Sequence, residues 1–453
     1  MEDGAQERLT IPVIGGGWAG CAAAIALADA GFRVVLYEAA NELGGRARRV
    51  VRDGLPLDNG QHVIIGAYEQ TAALIARLYR ASSQNDPPLR RAPLAIVPFG
   101  SRTDAIAIRA WPFAPPYAML VGLLTARGLS WRERFALARW FARLRDRRIA
   151  SDATAAQLIA DVPARARERL LAPLCLAALN TPPQRASAQV FANVLRTAFD
   201  SARGASDVLR PSTDLSAIFP DAVARALEAD DHVVRMRSAA TIAAVDERGV
   251  AVQCPSGTQH APAVVVAVGP HQLAHSFAPA VGALPSIAAA LASVERLEWE
   301  PIVTVYLGYD DEIGSFDGLV QLGDTPGQWI FDRTDILARA DAGAAKMRAL
   351  LAVVSSGSGP HTALPNDALV TAVDAQLRRL RTKMPRLVWS QVITEKRATY
   401  ACTPSALRPA SPLIERRIYL AGDYVDDAFP ATLESAVRSG RAAAASVVAD
   451  WRR

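Results

Sequence analysis

Lysine is nearly absent from this chain of 453 residues: Lys346, Lys383 and Lys396 are the only three. Cysteine is almost as scarce, with Cys21, Cys175, Cys254 and Cys402 far apart and never in a CxxC pair. Four scattered thiols exclude a disulfide scaffold and argue against a metal cage or a redox dithiol, so buried small apolar residues are expected. No apolar run reaches the ~18 residues that a membrane-spanning helix needs. Glycine and proline, 29 of each, show no triplet period, which removes collagen-like structure. Acidic residues number 45 against 50 lysines and arginines, leaving a net charge of +5. That excess is too small to argue for nucleic acid, but it suits an anionic membrane surface.

What is present is mostly apolar: 51% of residues are hydrophobic and 21% charged. Such a chain can bury enough surface to offset its ordering entropy, and at roughly 100–200 residues per domain it forms two to four domains. The first apolar run leads into a glycine motif, not a cleavage site. The expectation is a cytoplasmic protein, soluble or peripheral on the inner face of the membrane.

Residues 9–38 read as one βαβ unit. An apolar strand, 9–14, runs into Gly15-Gly16-Gly17-Trp18-Ala19-Gly20, which fits GxGxxG through Gly15, Gly17 and Gly20. An alanine-rich helix, 21–30, ends at Gly31, and a second strand, 32–37, ends at Glu38. Pro12 requires its missing N–H to fall at a non-pairing or edge position. Gly15 permits the tight turn, Gly17 lets backbone approach a pyrophosphate, and Gly20 lets helix and strand pack closely. The helix N-terminus at Trp18 and Ala19 supplies free N–H groups and positive potential, while Glu38 can accept hydrogen bonds from ribose hydroxyls.

Beyond Glu38, Leu43-Gly44-Gly45-Arg46 follows, a feature that an NAD fingerprint does not require. Near the other end, a strand at 417–421 closes on Gly422-Asp423, and Thr432-Leu433-Glu434 opens a helix that runs past Gly440. These two segments together resemble the FAD signature of the flavin amine oxidase and phytoene desaturase superfamily. The resemblance implies that Gly44 and Gly45 pass close to the cofactor and that Arg46 neutralises phosphate charge. The alternative, an Arg-rich surface loop, suits Arg48 and Arg49 but not the Gly-Gly-Arg core. It further implies that Asp423 meets the diphosphate–ribityl region and that the helix from Thr432 and Leu433 points at the flavin. Strands at 233–236, 242–245, 250–254 and 263–268 would complete the domain, with backbone near Ile242 at the adenine.

The fold class implied is α/β: a discontinuous Rossmann-like FAD-binding domain with an interleaved α+β substrate domain. Its expected pieces are 1–85, 206–272 and 404–453 for FAD, and 86–205 and 273–403 for substrate. Trp111 to Thr125 is apolar and aromatic. It leads to Trp131–Arg148, where Leu137, Trp140, Phe141 and Leu144 share one helical face beside Arg132, Arg139, Arg143 and Arg147. This segment, 111–148, reads either as a peripheral membrane contact or as an ordinary core helix with a basic outer side.

Three further segments extend the resemblance along the chain and narrow it to the hydroxysqualene dehydroxylases of bacterial hopanoid synthesis: Leu57-Asp58-Asn59-Gly60-Gln61-His62, 174–182 around Asn180, and 395–400. Many amine oxidases carry a lysine beside the flavin on a strand of the substrate domain, and the corresponding stretch 296–307 has none. The implied reaction is FAD-dependent reductive removal of hydroxyl from a hydrophobic C30 isoprenoid, by a reductant the sequence does not disclose. His62 is the preferred proton donor; alternatively Gln61 and His62 only hydrogen-bond flavin or backbone. Asp58 is a second acid candidate or a turn cap, and Asn180 orients the hydroxyl or ends a helix. A carotenoid-type desaturase and a non-catalytic prenyl-lipid carrier like the GDP-dissociation inhibitors are the alternatives.

Overall fold

A computed structural model describes residues 8–81, 88–100, 105–111, 113–114, 116–200, 202–314, 316, 318–323, 326–339, 346–404, 406, 408–413 and 417–451. Strands from both ends and the middle of the chain meet in one parallel sheet. These are β1 (Thr10–Ile14), β2 (Arg33–Tyr37), β3 (Val233–Arg235), β4 (Val264–Val266) and β5 (Ile418–Leu420), in the order β3-β2-β1-β4-β5. β1 is therefore central. Its ladder to β4 begins at Val13, so the donor that Pro12 lacks falls beyond the end of that ladder. The strands are Val- and Ile-rich and buried because helices cover the sheet.

Helix α1 (Trp18–Asp29) is buried along most of its length, between the sheet and the final helix, Leu433–Trp451. Small residues permit this. A Cβ on Gly20 would lie 1.8 Å from the Gly15 carbonyl oxygen, and one on Gly440 would lie 2.1 Å from that of Ala19. Beside the sheet lies an antiparallel meander, Thr241–Asp246, Gly249–Cys254 and Gly257–Ala261. Its last strand, Gly-Thr-Gln-His-Ala, is mostly polar and gave no apolar signal in the sequence.

A seven-stranded sheet forms the second layer. It runs Leu387–Tyr400, Trp299–Tyr309, Ala349–Ser356, Trp329–Asp332, Leu319–Gln321, Ala95–Pro98 and Ile108–Arg109. Helices Tyr117–Leu124, Trp131–Leu144, Ala172–Leu179 and Ala188–Asp200 build a core against its far end. Ser130 and Glu133 form a capping box that starts Trp131–Leu144. Leu137, Trp140 and Leu144 are buried in that core and Phe141 packs on it, so this face is not the one a membrane could meet. Six exposed large hydrophobics lie elsewhere on the same segment: Trp111, Phe113, Tyr117, Leu120, Trp131 and Phe135. All four cysteines are free thiols in buried positions.

The close helix crossing sets a sign. Replacing a helical glycine normally gains about 1 kcal/mol of helix propensity. At Gly440 the added atoms meet backbone of α1, and overpacking costs typically 1–3 kcal/mol. Gly440→Val is expected to lower the urea unfolding midpoint; an unchanged or raised midpoint would show that α1 can move aside.

Candidate active site

A cavity of about 1300 Å³ opens at the carboxyl ends of β1, β2, β4 and β5 and runs on between the second sheet and the helices. Its polar end is built by the glycine turns. Gly17 is the N-cap of α1, whose first turn holds no acidic residue, and its backbone pairs with Gly44. Glu38 accepts from the Gly16 N–H at 2.7 Å and the Ala40 N–H at 2.8 Å, one on each carboxylate oxygen. Each oxygen keeps a lone pair for a further donor.

Arg46 reaches the other chain end. Its Nη2 donates to Asp423 Oδ1 at 2.6 Å and its Nη1 to the Ala398 carbonyl at 2.9 Å. Asp423 and the burial around it oppose each other, and the net effect raises the Arg46 pKa, so the guanidinium stays charged. Gly422 lines the cavity beside Asp423 at φ +156°, and the Tyr400 hydroxyl donates to the Asp423 carbonyl. Thr432 and Leu433 line it too; Thr432 Oγ1 accepts from the Ser435 N–H and starts the final helix. Glu434, to which the sequence attached no role, is buried and accepts from the Gln70 and Thr71 N–H groups. It thereby caps the helix Glu69–Ala81 across the cavity rim.

The loop 58–63 is held from behind by a closed polar ring. Arg333 donates through Nη1 to Asp58 Oδ2 at 2.5 Å and to Gln61 Oε1 at 3.0 Å, and through Nη2 to the Thr213 carbonyl. Gln61 Nε2 donates to the Tyr306 hydroxyl, which donates to the Asp58 carbonyl. Asp58 Oδ1 also accepts from the Leu215 N–H. Burial pushes the Asp58 carboxyl up and Arg333 pulls it back. Asp58 is thus a structural anchor: it is not among the residues lining the main cavity, and both its oxygens are engaged. No sequence signal pointed to Arg333 or Tyr306.

His62 does line the cavity, with Nδ1 donating to the Gly60 carbonyl at 3.2 Å. Burial, with a smaller push from Arg46, lowers its pKa to about 4. The imidazole is therefore neutral at pH 7. Asn180 caps the helix Ala172–Leu179 in the left-handed conformation (φ 48°). Its amide donates to the Glu300 and Pro301 carbonyls and to Thr399 Oγ1, and its oxygen accepts from the Gly357 N–H. Asn180 thus ends the helix and also lines the cavity, with its amide groups hydrogen-bonded to protein. Ile242 itself is fully buried and pairs with Val252, and its carbonyl accepts from the Ala278 N–H. Ser238 to Thr241 line the cavity in its place.

The comparisons with known proteins decide the family. The model for flavin-containing amine oxidoreductases matches residues 18–448. The chain belongs to that family. It is 27% identical to hydroxysqualene dehydroxylase of Rhodopseudomonas palustris over 98% of this chain and 99% of that one. The corresponding enzyme of Sinorhizobium fredii is 26% identical over 96% and 97%. An oxidoreductase from Methanosarcina mazei has the same fold, with a TM-score of 0.74 at 16% identity over 96% of this chain and 99% of that one.

This flavin-containing amine oxidoreductase family member is an FAD-dependent oxidoreductase, and the cavity fits the cofactor. A Cβ on Gly17 would meet nothing closer than Gly45 Cα at 3.9 Å, so the chain itself leaves that position open. Gly17→Val is accordingly expected to fold with an unfolding midpoint near that of the parent yet to purify without flavin absorbance. A yellow Gly17→Val protein would contradict this placement of the cofactor.

Proposed function

We propose that this oxidoreductase removes the hydroxyl of hydroxysqualene reductively, giving squalene for hopanoid and other triterpenoid synthesis. The observation that carries the reading is the far wall of the FAD cavity. Leu94, Ile96, Leu174, Val194, Phe199, Leu319, Trp329 and Phe331 line it, and no lysine does among the described residues. Such a wall favours a long hydrocarbon over an amine. The full-length similarity to enzymes named hydroxysqualene dehydroxylase supports the same class.

Reduced flavin, when bound, supplies hydride. The protein's part is to keep water out, hold the chain extended along the apolar wall, and deliver one proton to the departing hydroxyl. With that proton the oxygen leaves as water, the allylic carbon becomes a delocalised cation, and hydride completes squalene. His62 is assigned the proton. Its imidazolium is scarce at pH 7 but strongly acidic, so the fraction able to act rises about tenfold per pH unit from 7 to 5. Reduced protein incubated anaerobically with hydroxysqualene should form squalene, with a rate that follows this slope. His62→Gln should retain FAD, lose the slope and turn over ~10²–10⁴-fold more slowly. Absence of squalene sinks the reading, while an unaltered pH profile in the variant removes His62 alone.

The substrate's insolubility gives the exposed aromatic segment a role. Trp131 and Phe135 are 64% and 61% exposed on the helix Trp131–Leu144, which also carries exposed arginines 132, 139 and 143, and Tyr117, 62% exposed, starts the preceding helix Tyr117–Leu124. We assign this surface to an anionic bilayer, entered by the aromatic rings and held by the arginines. No described helix is long and apolar enough to cross a membrane. Co-sedimentation with phosphatidylglycerol vesicles should weaken with salt and be lost in a Trp131→Ser, Phe135→Ser double variant. Sedimentation unaffected by both would overturn the assignment.

A further inference from the structure

A second, smaller cavity of about 60 Å³ lies behind the loop that carries His62. Gln61, His62, Val63, Leu319 and Phe331 line both this cavity and the main one, and of these five only His62 titrates. We propose that the small cavity is a proton port, passing protons from solvent through Asp332 and a short file of waters to the His62 imidazole. The inference rests on the reductive dehydroxylation proposed above, in which His62 is the donor.

That reaction needs a supply of protons. Each hydroxyl leaves as water only after taking one, which His62 gives up and has to regain. Burial leaves the imidazole neutral between turnovers, so even the first proton is brought in. The main cavity is the wrong side for it, because water beside the allylic cation would capture the carbon before hydride does. His62 Nδ1 is committed to the Gly60 carbonyl, so Nε2 both receives and delivers the proton. The ring that carries Nε2 forms part of both walls.

The small cavity is fitted for water. Its volume holds about two molecules, at ~30 Å³ of liquid volume each. Gln61, Arg210, Asp332 and Arg333 stand around it as polar partners. Asp332 ends the strand Trp329–Asp332 and is half-buried. Its Oδ1 accepts from the Thr334 N–H at 3.0 Å, and Oδ2 has no hydrogen-bond partner among the described residues. Arg210, on the strand Val208–Pro211, is exposed and marks the side where the cavity meets solvent. Asp335 feels Arg333, Arg210 and Asp332, so two acids and two arginines share this rim. Asp332 takes a proton from solvent on a carboxylate oxygen and passes it through the waters to Nε2, which releases it to the departing oxygen.

Two measurements on the FAD-loaded chain test the port. Single-turnover squalene formation should slow in Asp332→Asn by up to ~10²-fold, the lower end of what a positioned proton donor contributes. Formic acid or imidazole added to the buffer should restore that rate, which they would not do for a merely structural loss. The second measurement needs no turnover: deuterium exchange at His62 Cε1, read by mass spectrometry with FAD and squalene bound. Val208 lines the small cavity and not the main one, so Val208→Phe fills the port alone. It should slow exchange at His62 several-fold and leave that of the exposed His260 unchanged. A parent that makes no squalene but shows this exchange pattern would refute the proposed reaction and leave the small cavity as the water access to His62. Full-speed turnover in Asp332→Asn, a slowed rate that small acids do not restore, or His62 exchange indifferent to Val208→Phe overturns the port.

Discussion

The ion pair between Arg46 and Asp423 joins residues 377 positions apart, and the cavity depends on it. It closes the glycine turns of the first βαβ unit onto the strand end and final helix of the last. Backbone locks its surroundings: the Tyr400 hydroxyl donates to the Asp423 carbonyl, and Asn59 Nδ2 bridges the Arg46 carbonyl and Glu395. Removing one partner of a buried pair typically costs about 3–5 kcal/mol, because the other charge is left uncompensated. The pair therefore specifies which two chain ends meet more than it adds net stability. A dinucleotide cavity assembled from distant segments needs such a specification.

Charge inside the cavity follows a gradient that suits the chemistry. Carboxylates and arginines gather at the carboxyl ends of the parallel strands, where helix α1 contributes positive potential. Away from that end the wall becomes aliphatic and aromatic. Between them stands the loop 58–63, fixed from behind by Arg333 and Tyr306, with His62 held neutral by burial. A cation generated there would meet no solvent nucleophile on the apolar side.

The parts that were legible in the sequence are local. Gly15, Gly17, Gly20, Glu38, Gly44, Gly45, Gly422 and Asp423 announce themselves because a turn or a strand end dictates residue type within a few positions. The parallel sheet followed from them. Arg333, Tyr306 and Glu434 were not legible, since their partners lie 275, 248 and 364 residues away and nothing in their own neighbourhood encodes the pairing. Helical spacing correctly grouped Leu137, Trp140 and Leu144, but periodicity cannot tell a core from a membrane as the thing that covers a face. His62 shows the same limit for charge: its identity was readable, while its protonation depends on burial that only the fold supplies. Ile242 stands one position beyond the cavity-lining run 238–241, where the strand Thr241–Asp246 carries the chain on and the Ile242 side chain is buried in the core.

In the proposed reaction, a cavity closed by the two chain ends directs hydride to a carbon losing its hydroxyl. A single turnover of the reduced protein with hydroxysqualene in heavy water tests it most directly, because the transferable hydrogen of reduced flavin exchanges with solvent. Squalene carrying one carbon-bound deuterium at the former carbinol position is the result expected. Unlabelled squalene, or hydroxysqualene recovered intact while the flavin stays reduced, would contradict it.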